Sequence, residues 1–194
     1  MHDSQHPPAS GEREPAPDAL RLVQEFVNTN DLEGNRDALA TPDGMGAWLV
    51  DRDLLSPDAG VDPASHARVV AVREGLRALG RANNEESLDS GLVDAMNRAS
   101  AIVPLHLARD VDGWALQPSA VGVDAFLGRI LGAVASADAD GSWSRVKACR
   151  NDTCRWLFYD HSRNRSSTWC AMAVCGSRMK ARAYRARQRE GAGA

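Results

Sequence analysis

The sequence predicts a mainly α fold of the α+β class: a helical N-terminal domain with one small β-hairpin, followed by a small cysteine-containing module. Apolar residues recur at helical spacing through most of residues 18–140, and one Asp-Gly turn interrupts them. All four cysteines lie in the last quarter of the 194 residues. A segment of about 140 residues can bury a core unaided, whereas about 50 usually need disulfides or a metal.

The first helix is expected directly after a polar N-terminal segment. Residues 1–17 are rich in Pro, Ser, Glu and His, which predicts a disordered tail. Beyond Pro17, with Asp18 near the helix start, apolar residues recur every three or four positions. They form one buried face made of Leu20, Val23, Phe26 and Val27.

The remaining helices are predicted from their start signals and apolar stripes. Thr41 and Asp62 each precede a proline, which suits a capping residue followed by the first helical turn. They open a short second helix and a longer third helix that runs to about residue 83. The same periodicity predicts helices over about 88–99 and 121–137.

A β-hairpin is predicted between the last two of these helices. Residues 104–108 and 114–116 flank Asp110-Val111-Asp112-Gly113, and alternation around an Asp-Gly turn is typical of a hairpin. His106 alternates with apolar neighbours and is interpreted as an ordinary strand residue. The helical domain therefore covers residues 18–140, and residues 139–142 link it to the second module.

The cysteine spacing predicts one structural zinc ion. The pattern Cys149-x4-Cys154-x15-Cys170-x4-Cys175 provides two close pairs, and four thiolates can bind Zn²⁺ tetrahedrally at roughly 2.3 Å. Disulfide or redox chemistry is the alternative, but a Cys-x-x-Cys pair and a secretory signal are lacking, which indicates the cytoplasm. His161 could replace one sulfur but is not needed.

The C-terminal module, residues 143–190, is predicted to be a treble-clef-like zinc finger. Residues 145–148 and 156–159 flank the first cysteine pair, which suggests a short hairpin carrying one zinc knuckle. The second pair opens a helix. Gly176-Ser177 then permits a turn and a cap before a helix rich in Ala and Arg that runs to about residue 190.

Charge separates the two parts of the chain and favours a polyanionic partner for the second. Residues 141–194 hold 12 Lys and Arg against three acidic residues, whereas residues 1–140 hold 11 basic against 23 acidic residues. Zinc with four thiolates subtracts two charges and leaves the C-terminal part at about +7. Such a surface attracts nucleic acid.

The candidate nucleic-acid contacts are arginines and one lysine. At 100° per residue, an arginine stripe forms on the last helix, because Arg178, Arg182, Arg185 and Arg189 fall within about 40° of one line. An adjacent apolar strip, Met179, Ala183 and Ala186, is expected to dock on the zinc core. Trp156, Tyr159 and Trp169 are expected to form a miniature core, which favours double-stranded DNA over single strands. The predicted contacts are Arg163, Arg165, Arg178, Lys180, Arg182, Arg185 and Arg189.

A different class of function stays open. The sequence has no phosphate-binding glycine loop, paired His-Glu motif or nucleophile elbow, so no enzyme is predicted, and no segment is apolar enough to cross a membrane. The alternative is a small-molecule sensor, or a protein- or RNA-interaction protein, with a structural zinc module. Its pocket would lie near Asn28, Arg73, Arg77 or His106. Simpler interpretations are a cap or turn for Asn28 and helix-surface charges for both arginines.

The C-terminal motifs resemble the CGNR zinc finger. The resemblance covers residues 149–187, through Phe158-Tyr159-Asp160-His161-Ser162-Arg163-Asn164, Trp169-Cys170-Ala171-Met172-Ala173-Val174-Cys175-Gly176-Ser177-Arg178-Met179-Lys180 and Tyr184-Arg185-Ala186-Arg187. Upstream, Phe26-Val27-Asn28-Thr29, Trp48-Leu49 and the helix around 72–79 resemble the ABATE domain. Two departures stand out: Ser177 replaces the signature Asn, and Ser167-Thr168 stand where arginines are expected. Serine can still cap the helix.

This resemblance implies a bacterial, stress-induced transcription regulator that binds DNA, with the four cysteines as zinc ligands. It implies no reaction. The leading hypothesis is therefore a cytoplasmic regulator whose basic module contacts double-stranded DNA. The acidic domain would sense a small-molecule effector, form a homodimer or mask the basic module.

Overall fold

Six helices and three antiparallel strand pairs make up the part of the chain that the computed structural model describes, residues 14–109, 111 and 113–192. The helices are α1 Leu20–Val27, α2 Pro42–Val50, α3 Pro63–Ala82, α4 Ser90–Ser100, α5 Gly122–Ala139 and α6 Ser177–Ala192. The strands pair as β1 Asn30–Asp31 with β2 Arg36–Asp37, β3 Leu105–Arg109 with β4 Trp114–Pro118, and β5 Val146–Ala148 with β6 Leu157–Tyr159. The predicted mainly helical class is confirmed.

Side-chain caps set the starts of α2, α3 and α4. Thr41 Oγ1 accepts a hydrogen bond from the Gly44 amide at 3.1 Å, and Asp62 Oδ1 accepts from Ala64 and Ser65 at 2.9 and 3.0 Å. Each cap satisfies amides that have no partner in the first turn. Asp89 caps α4 in the same way. The β1–β2 pair was not predicted, because strands of two residues carry no periodic signal.

The core of the helical domain forms around three aromatic rings. Phe26 on α1 meets Phe126 on α5 edge-on at a centroid distance of 5.0 Å, and Trp48 on α2 meets Phe126 at 5.9 Å. The four apolar residues predicted for α1 are all buried. These edge-to-face contacts fix α1, α2 and α5 against one another.

The β3–β4 hairpin packs closely on α5 because a glycine lies at the contact. A Cβ on Gly132 would stand 2.4 Å from the carbonyl oxygen of Leu116, a distance that no side chain tolerates. Glycine therefore lets the strand backbone approach the helix directly.

The hairpin that begins the C-terminal module belongs to the same hydrophobic core as the helices. Trp143, Val146, Ala148 and Leu157 are buried in one cluster with the apolar residues of α1, α3 and α5. On α3, a Cβ on Gly80 would lie 2.5 Å from Leu157 Cδ1, so the helix and the hairpin are in direct contact. The proposed boundary near residue 140 falls at a turn, but the packing is continuous across it.

Polar side chains at the end of α3 reinforce this joint. Asn83 Nδ2 donates to the carbonyls of Trp143 and Val146 at 2.8 and 2.9 Å. The buried Asn84 Nδ2 donates to Ala148 O at 2.7 Å and to Thr168 O at 2.9 Å. Backbone groups of the C-terminal module are thus satisfied by the helical domain.

The end of the segment predicted as a disordered tail makes contacts with the rest of the protein. Residues 1–13 lie outside the described residues. Within residues 14–17, Ala16 is buried and its amide donates to Gln24 Oε1 at 2.7 Å, while Pro15 O lies 3.1 Å from His161 Nε2. Contact with α1 and the C-terminal module outweighs the polar composition of this segment.

Candidate metal centre and nucleic-acid interface

The first cysteine pair sits on a tight knuckle that follows β5. The Cys149 amide donates to Trp156 O at 2.9 Å, and the amides of Cys154 and Arg155 both donate to Asn151 O, at 2.8 and 3.0 Å. Arg155 has a φ of 52°, a left-handed conformation that lets the chain reverse into β6. The sequence expectation of a hairpin carrying one knuckle is met here.

Of the second pair, Cys170 precedes a π-helical turn, Met172–Gly176, and Cys175 lies in it; the turn leads directly into α6. The Gly176 amide donates to Ala171 O at 3.1 Å. A Cβ on Gly176 would stand 2.4 Å from Met172 Sδ, so any other residue here would require the Met172 side chain to move. Cys175 is thereby fixed at the base of the basic helix.

The four sulfurs converge on one point. All ligand atoms of Cys149, Cys154, Cys170 and Cys175 lie within 4.8 Å of one another, and all four residues are buried. Cys154 Sγ and Cys175 Sγ each lie 3.6 Å from Cys170 Sγ. Tetrahedral zinc with bonds of roughly 2.3 Å separates its sulfurs by about 3.8 Å, so this cluster fits a single zinc ion and the predicted cofactor is confirmed.

The surroundings of the sulfurs suit thiolate charge. The amide of buried Asn151 donates to Cys175 Sγ at 3.7 Å, and Thr153 Oγ1 donates to Asn151 Oδ1 at 3.1 Å, which orients that amide. Polar donors around ligand sulfurs tune and orient a metal site. Trp156 and Trp169 pack against the cysteine cluster as predicted, whereas Tyr159, the third residue of the predicted miniature core, packs against the core shared with the helices.

The pKa values of two of the thiols are shifted in opposite directions by the contacts between the sulfurs. Hydrogen bonds from Cys154 and Cys170 lower the pKa of the Cys149 thiol to about 2. The same sulfur contacts, with Cys149 first, raise the pKa of Cys154 well above its ordinary value. Like charge on adjacent sulfurs is unfavourable, and a zinc ion would supply the positive charge that stabilises the thiolates.

A buried ion pair holds the loop between the two cysteine pairs. Lys147 Nζ lies 2.9 Å from Asp160 Oδ2, and both residues are buried. Burial favours a higher pKa for Asp160, but hydrogen bonds from Ser162 and Lys147 lower it below the ordinary value. The Ser162 and Ser167 amides complete the carboxylate's partners at 3.0 and 2.9 Å. The loop of residues 160–168, here called the finger loop, is therefore anchored at both ends.

The structure divides the C-terminal cations into two groups. Lys147 and Arg145 bind the finger loop, and Arg150 and Arg155 form ion pairs with Glu85 and Glu86 of the helical domain. These four cations hold the fold together. The second group is exposed and comprises Arg163 and Arg165 on the finger loop and Arg178, Lys180, Arg182, Arg185, Arg187 and Arg189 on α6.

Helix α6 stands away from the rest of the protein. From Lys180 to Arg189 every residue is exposed. The expected docking of the strip Met179, Ala183 and Ala186 on the zinc core is wrong, because both alanines face solvent and only Met179 is half-buried. Anchoring comes instead from the π-helical turn at its start.

The predicted DNA-contact residues lie on the finger loop and α6, and two of them already have partners within the protein. Arg178 forms an ion pair with Glu33 in the β1–β2 turn, the single carboxylate partner on the seven residues within the described part of the chain. Arg165 Nη1 donates to Ser144 Oγ at 2.9 Å. Ser177 does not cap α6: its hydroxyl donates to Met172 O at 3.2 Å.

Arg73 and Arg77 are not helix-surface charges, which corrects the simpler interpretation. Both are buried on α3, at 2% and 5% exposure. Arg73 binds both carboxylate oxygens of Asp37 at 2.7 and 2.8 Å, and Glu74 contacts both arginines. At 100° per residue they lie 40° and 80° around α3 from Val69, beside the apolar stripe and not on it, so the sequence pattern did not place them in the core.

The buried arginines have opposite pKa shifts. Burial favours a lower pKa for Arg73, but Asp37 and Glu74 raise it above the ordinary value. Burial lowers the pKa of Arg77. Arg77 donates to Arg155 O at 2.9 Å and to Val27 O at 2.7 Å, so its guanidinium ties the zinc knuckle to α1.

The remaining candidates for a ligand pocket lie apart. Asn28 ends α1, as expected, and its side chain binds the Leu157 amide and carbonyl at 2.7 and 2.8 Å. His106 is an exposed residue of β3 whose Nδ1 lies 2.7 Å from Ser119 Oγ. Asn28 does line a pocket, described below; His106 does not.

Comparison with known proteins agrees with this geometry. Among the helices of the described residues, none combines the length and apolar composition that a bilayer span requires. No curated protein matches the chain. Residues 145–188 match the CGNR zinc finger, and residues 20–141 match the ABATE family, described as "Putative stress-induced transcription regulator". Since the second match spans more than half of the chain, the protein belongs to the ABATE family and carries a CGNR zinc finger.

Proposed function

We propose that the protein regulates transcription by binding double-stranded DNA through α6 and the finger loop. One observation carries this proposal: an exposed, zinc-anchored helix has six cations between Arg178 and Arg189 and no acidic residue among them. A solvated surface helix usually mixes charges of both signs. Here the mutual repulsion of like charges three and four residues apart is relieved by a polyanion.

The dimensions of α6 suit the major groove. From Arg178 to Arg189 the helix rises about 17 Å at 1.5 Å per residue, and the groove, roughly 12 Å wide, admits an α-helix. Lys180 and Arg187 lie on the side opposite the arginine stripe. Since every residue from 180 to 189 is exposed, cations on both sides of the helix can meet the phosphates of the two strands.

Sensing is the role we favour for the acidic domain. Masking of the basic module rests on the single Arg178–Glu33 ion pair, which leaves the other predicted contacts free of carboxylates within the described residues. The shared core and the ion pairs of Arg150 and Arg155 connect the helical domain rigidly to the zinc site. Through these contacts, a ligand bound to the helical domain would affect the zinc finger directly.

The test is a salt-dependent DNA titration of the intact protein. For an interface that neutralises about six phosphates, log affinity should fall against log salt with a slope of about −5. Arg182→Ala/Arg185→Ala should reduce the steepness by about 1.8 and weaken binding. The matched control Arg98→Ala/Arg129→Ala removes two exposed arginines from α4 and α5 and should behave as wild type.

Two results would contradict the proposal. Equal affinity and slope for both double variants would remove α6 from the interface. Tighter binding of single-stranded RNA than of duplex DNA of the same length would instead support the RNA-interaction alternative.

A further inference from the structure

A pocket of about 640 Å³ lies where the helical domain meets the zinc finger. Its walls come from α1, α2, the packed segment before α1 and the residue that precedes β6. This volume is within the range of about 300–1,000 Å³ that is usual for small-molecule sites. The lining residues that matter below are Arg21, Glu25, Asn28, Trp48, Arg52 and Trp156.

Two tryptophans, one from each part of the protein, give the pocket an aromatic lining. Trp48 belongs to α2, and Trp156 follows the zinc knuckle; both are half-buried. Within the described residues, neither indole N–H takes part in a hydrogen bond, and neither is a buried donor without a partner. Both N–H groups are therefore free of acceptors from the described part of the protein, and both rings add apolar surface to the lining.

The charged groups of the lining neutralise one another. Arg21 pairs with Glu25 at 2.9 Å, and Arg52 lies 3.3 Å from Asp51 and 3.8 Å from Glu25. The Arg52 guanidinium also lies over the Trp48 ring, 4.3 Å from its centroid. Two cations thus face two carboxylates, so the pocket offers no net charge to an ionic ligand.

We propose that this pocket binds an uncharged, planar aromatic molecule of about two or three fused rings that carries a hydrogen-bond acceptor. The rings would pack against the two indoles, and the acceptor would accept a hydrogen bond from an indole N–H. A purely ionic ligand would have to displace an existing ion pair, which an uncharged ring does not require.

The occupant would contact both parts of the protein. Trp156 packs against the cysteine cluster, and Asn28, in the same lining, binds the backbone of Leu157. A ligand bound there favours the arrangement of α1, α2 and the zinc knuckle that forms the pocket. That this occupancy changes DNA affinity rests on the proposed function, whereas the binding itself does not.

The test uses three bicyclic probes of similar size and different charge: 2-naphthamide, 2-naphthoate and N-methylquinolinium. Each is titrated into the intact, zinc-loaded protein without DNA, and binding is followed by calorimetry and saturation-transfer NMR. We expect saturable 1:1 binding of 2-naphthamide and weaker binding of both ions. Trp48→Ala and Trp156→Ala should each weaken it roughly 2- to 12-fold.

Two further variants separate loss of binding from loss of folding. Trp156 packs on the zinc cluster, so its variant is first checked for zinc content. Ala47→Phe places a ring in the pocket from an exposed helical position and should abolish binding while the fold is kept. Trp114→Ala removes an exposed tryptophan outside the pocket and should leave binding unchanged.

The proposal is overturned if 2-naphthamide does not bind saturably, or if Ala47→Phe binds it as well as wild type. Preference for the anion or the cation overturns the charge argument and with it the ligand class. Because no DNA is present, failure here leaves the DNA titration untouched, and failure of that titration leaves the pocket standing.

Discussion

Asn28→Ala tests the joint between the helical domain and the zinc finger. The Asn28 side chain acts as a neighbouring strand would: Oδ1 accepts from the Leu157 amide at 2.7 Å, and Nδ2 donates to the Leu157 carbonyl at 2.8 Å. Alanine removes both partners at once. The backbone donor and acceptor of Leu157, whose side chain is fully buried, are left without protein partners.

The expected cost is about 2–4 kcal/mol. An unsatisfied buried group costs about 1–3 kcal/mol, and partial access of water at this site reduces the sum of two such terms. Asn30→Ala is the matched control, because Asn30 makes a single long contact, 3.5 Å, with Glu74 Oε1. Its cost should stay within about 0.5 kcal/mol.

The assay is urea unfolding of the zinc-loaded protein, followed by circular dichroism and by tryptophan fluorescence. Since the finger hairpin and the helices share one core, both signals should change in a single transition, and Asn28→Ala should move that transition to lower urea. Two separate transitions, with the variant shifting only one or neither, would refute the shared-core argument.

Three further predictions concern the metal, pH and one helix. Cys170→Ser should release zinc and expose the cysteine knuckles to hydrogen exchange. The strands β5 and β6 should stay protected together with the helices, because they pack in the shared core. Exchange of β5 and β6 as fast as that of the knuckles would contradict this prediction. Burial favours a higher pKa for Asp37, but the hydrogen bond and charge of Arg73 lower it below the ordinary value. The Asp37–Arg73 ion pair therefore contributes its full stabilisation above about pH 4, and this stabilisation is lost as the pH falls through the folded-state pKa. Asp37→Asn should therefore destabilise the protein near pH 7 by about 2–4 kcal/mol, and the gap from wild type in urea unfolding should narrow toward pH 2; a constant gap would refute it. Gly46→Ala should raise the free energy of unfolding by about 0.4–1 kcal/mol in thermal unfolding, because the new Cβ meets only Val61 Cγ2 at 3.7 Å. Gly44→Ala should lower it, because its Cβ would lie 2.8 Å from a backbone carbonyl oxygen.

Local signals made much of the fold predictable. The caps Thr41 and Asp62, each followed by proline, and the apolar stripes placed α1 to α5 within a few residues of their observed bounds. The Asp-Gly turn placed β3 and β4. Each signal acts within one or two turns of chain, so no tertiary information was needed.

The zinc site was equally predictable from the sequence, because cysteine is rare in this chain and the spacing of the ligands is itself the signal. Composition also separated a basic C-terminal part from an acidic remainder. The DNA contacts on α6 and the finger loop stay a prediction, supported by their exposure.

Other features depend on contacts between residues far apart in the chain. Sequence alone determined the mainly helical class, the cysteine ligands and the basic helix. Only the tertiary structure decided that Arg73 and Arg77 are buried, because their carboxylate and carbonyl partners come from α1, the β1–β2 pair and the zinc knuckle. It also decided that the alanines of α6 face solvent and that the finger hairpin completes the helical core, since burial depends on which surfaces meet and an amphipathic pattern does not specify its partner.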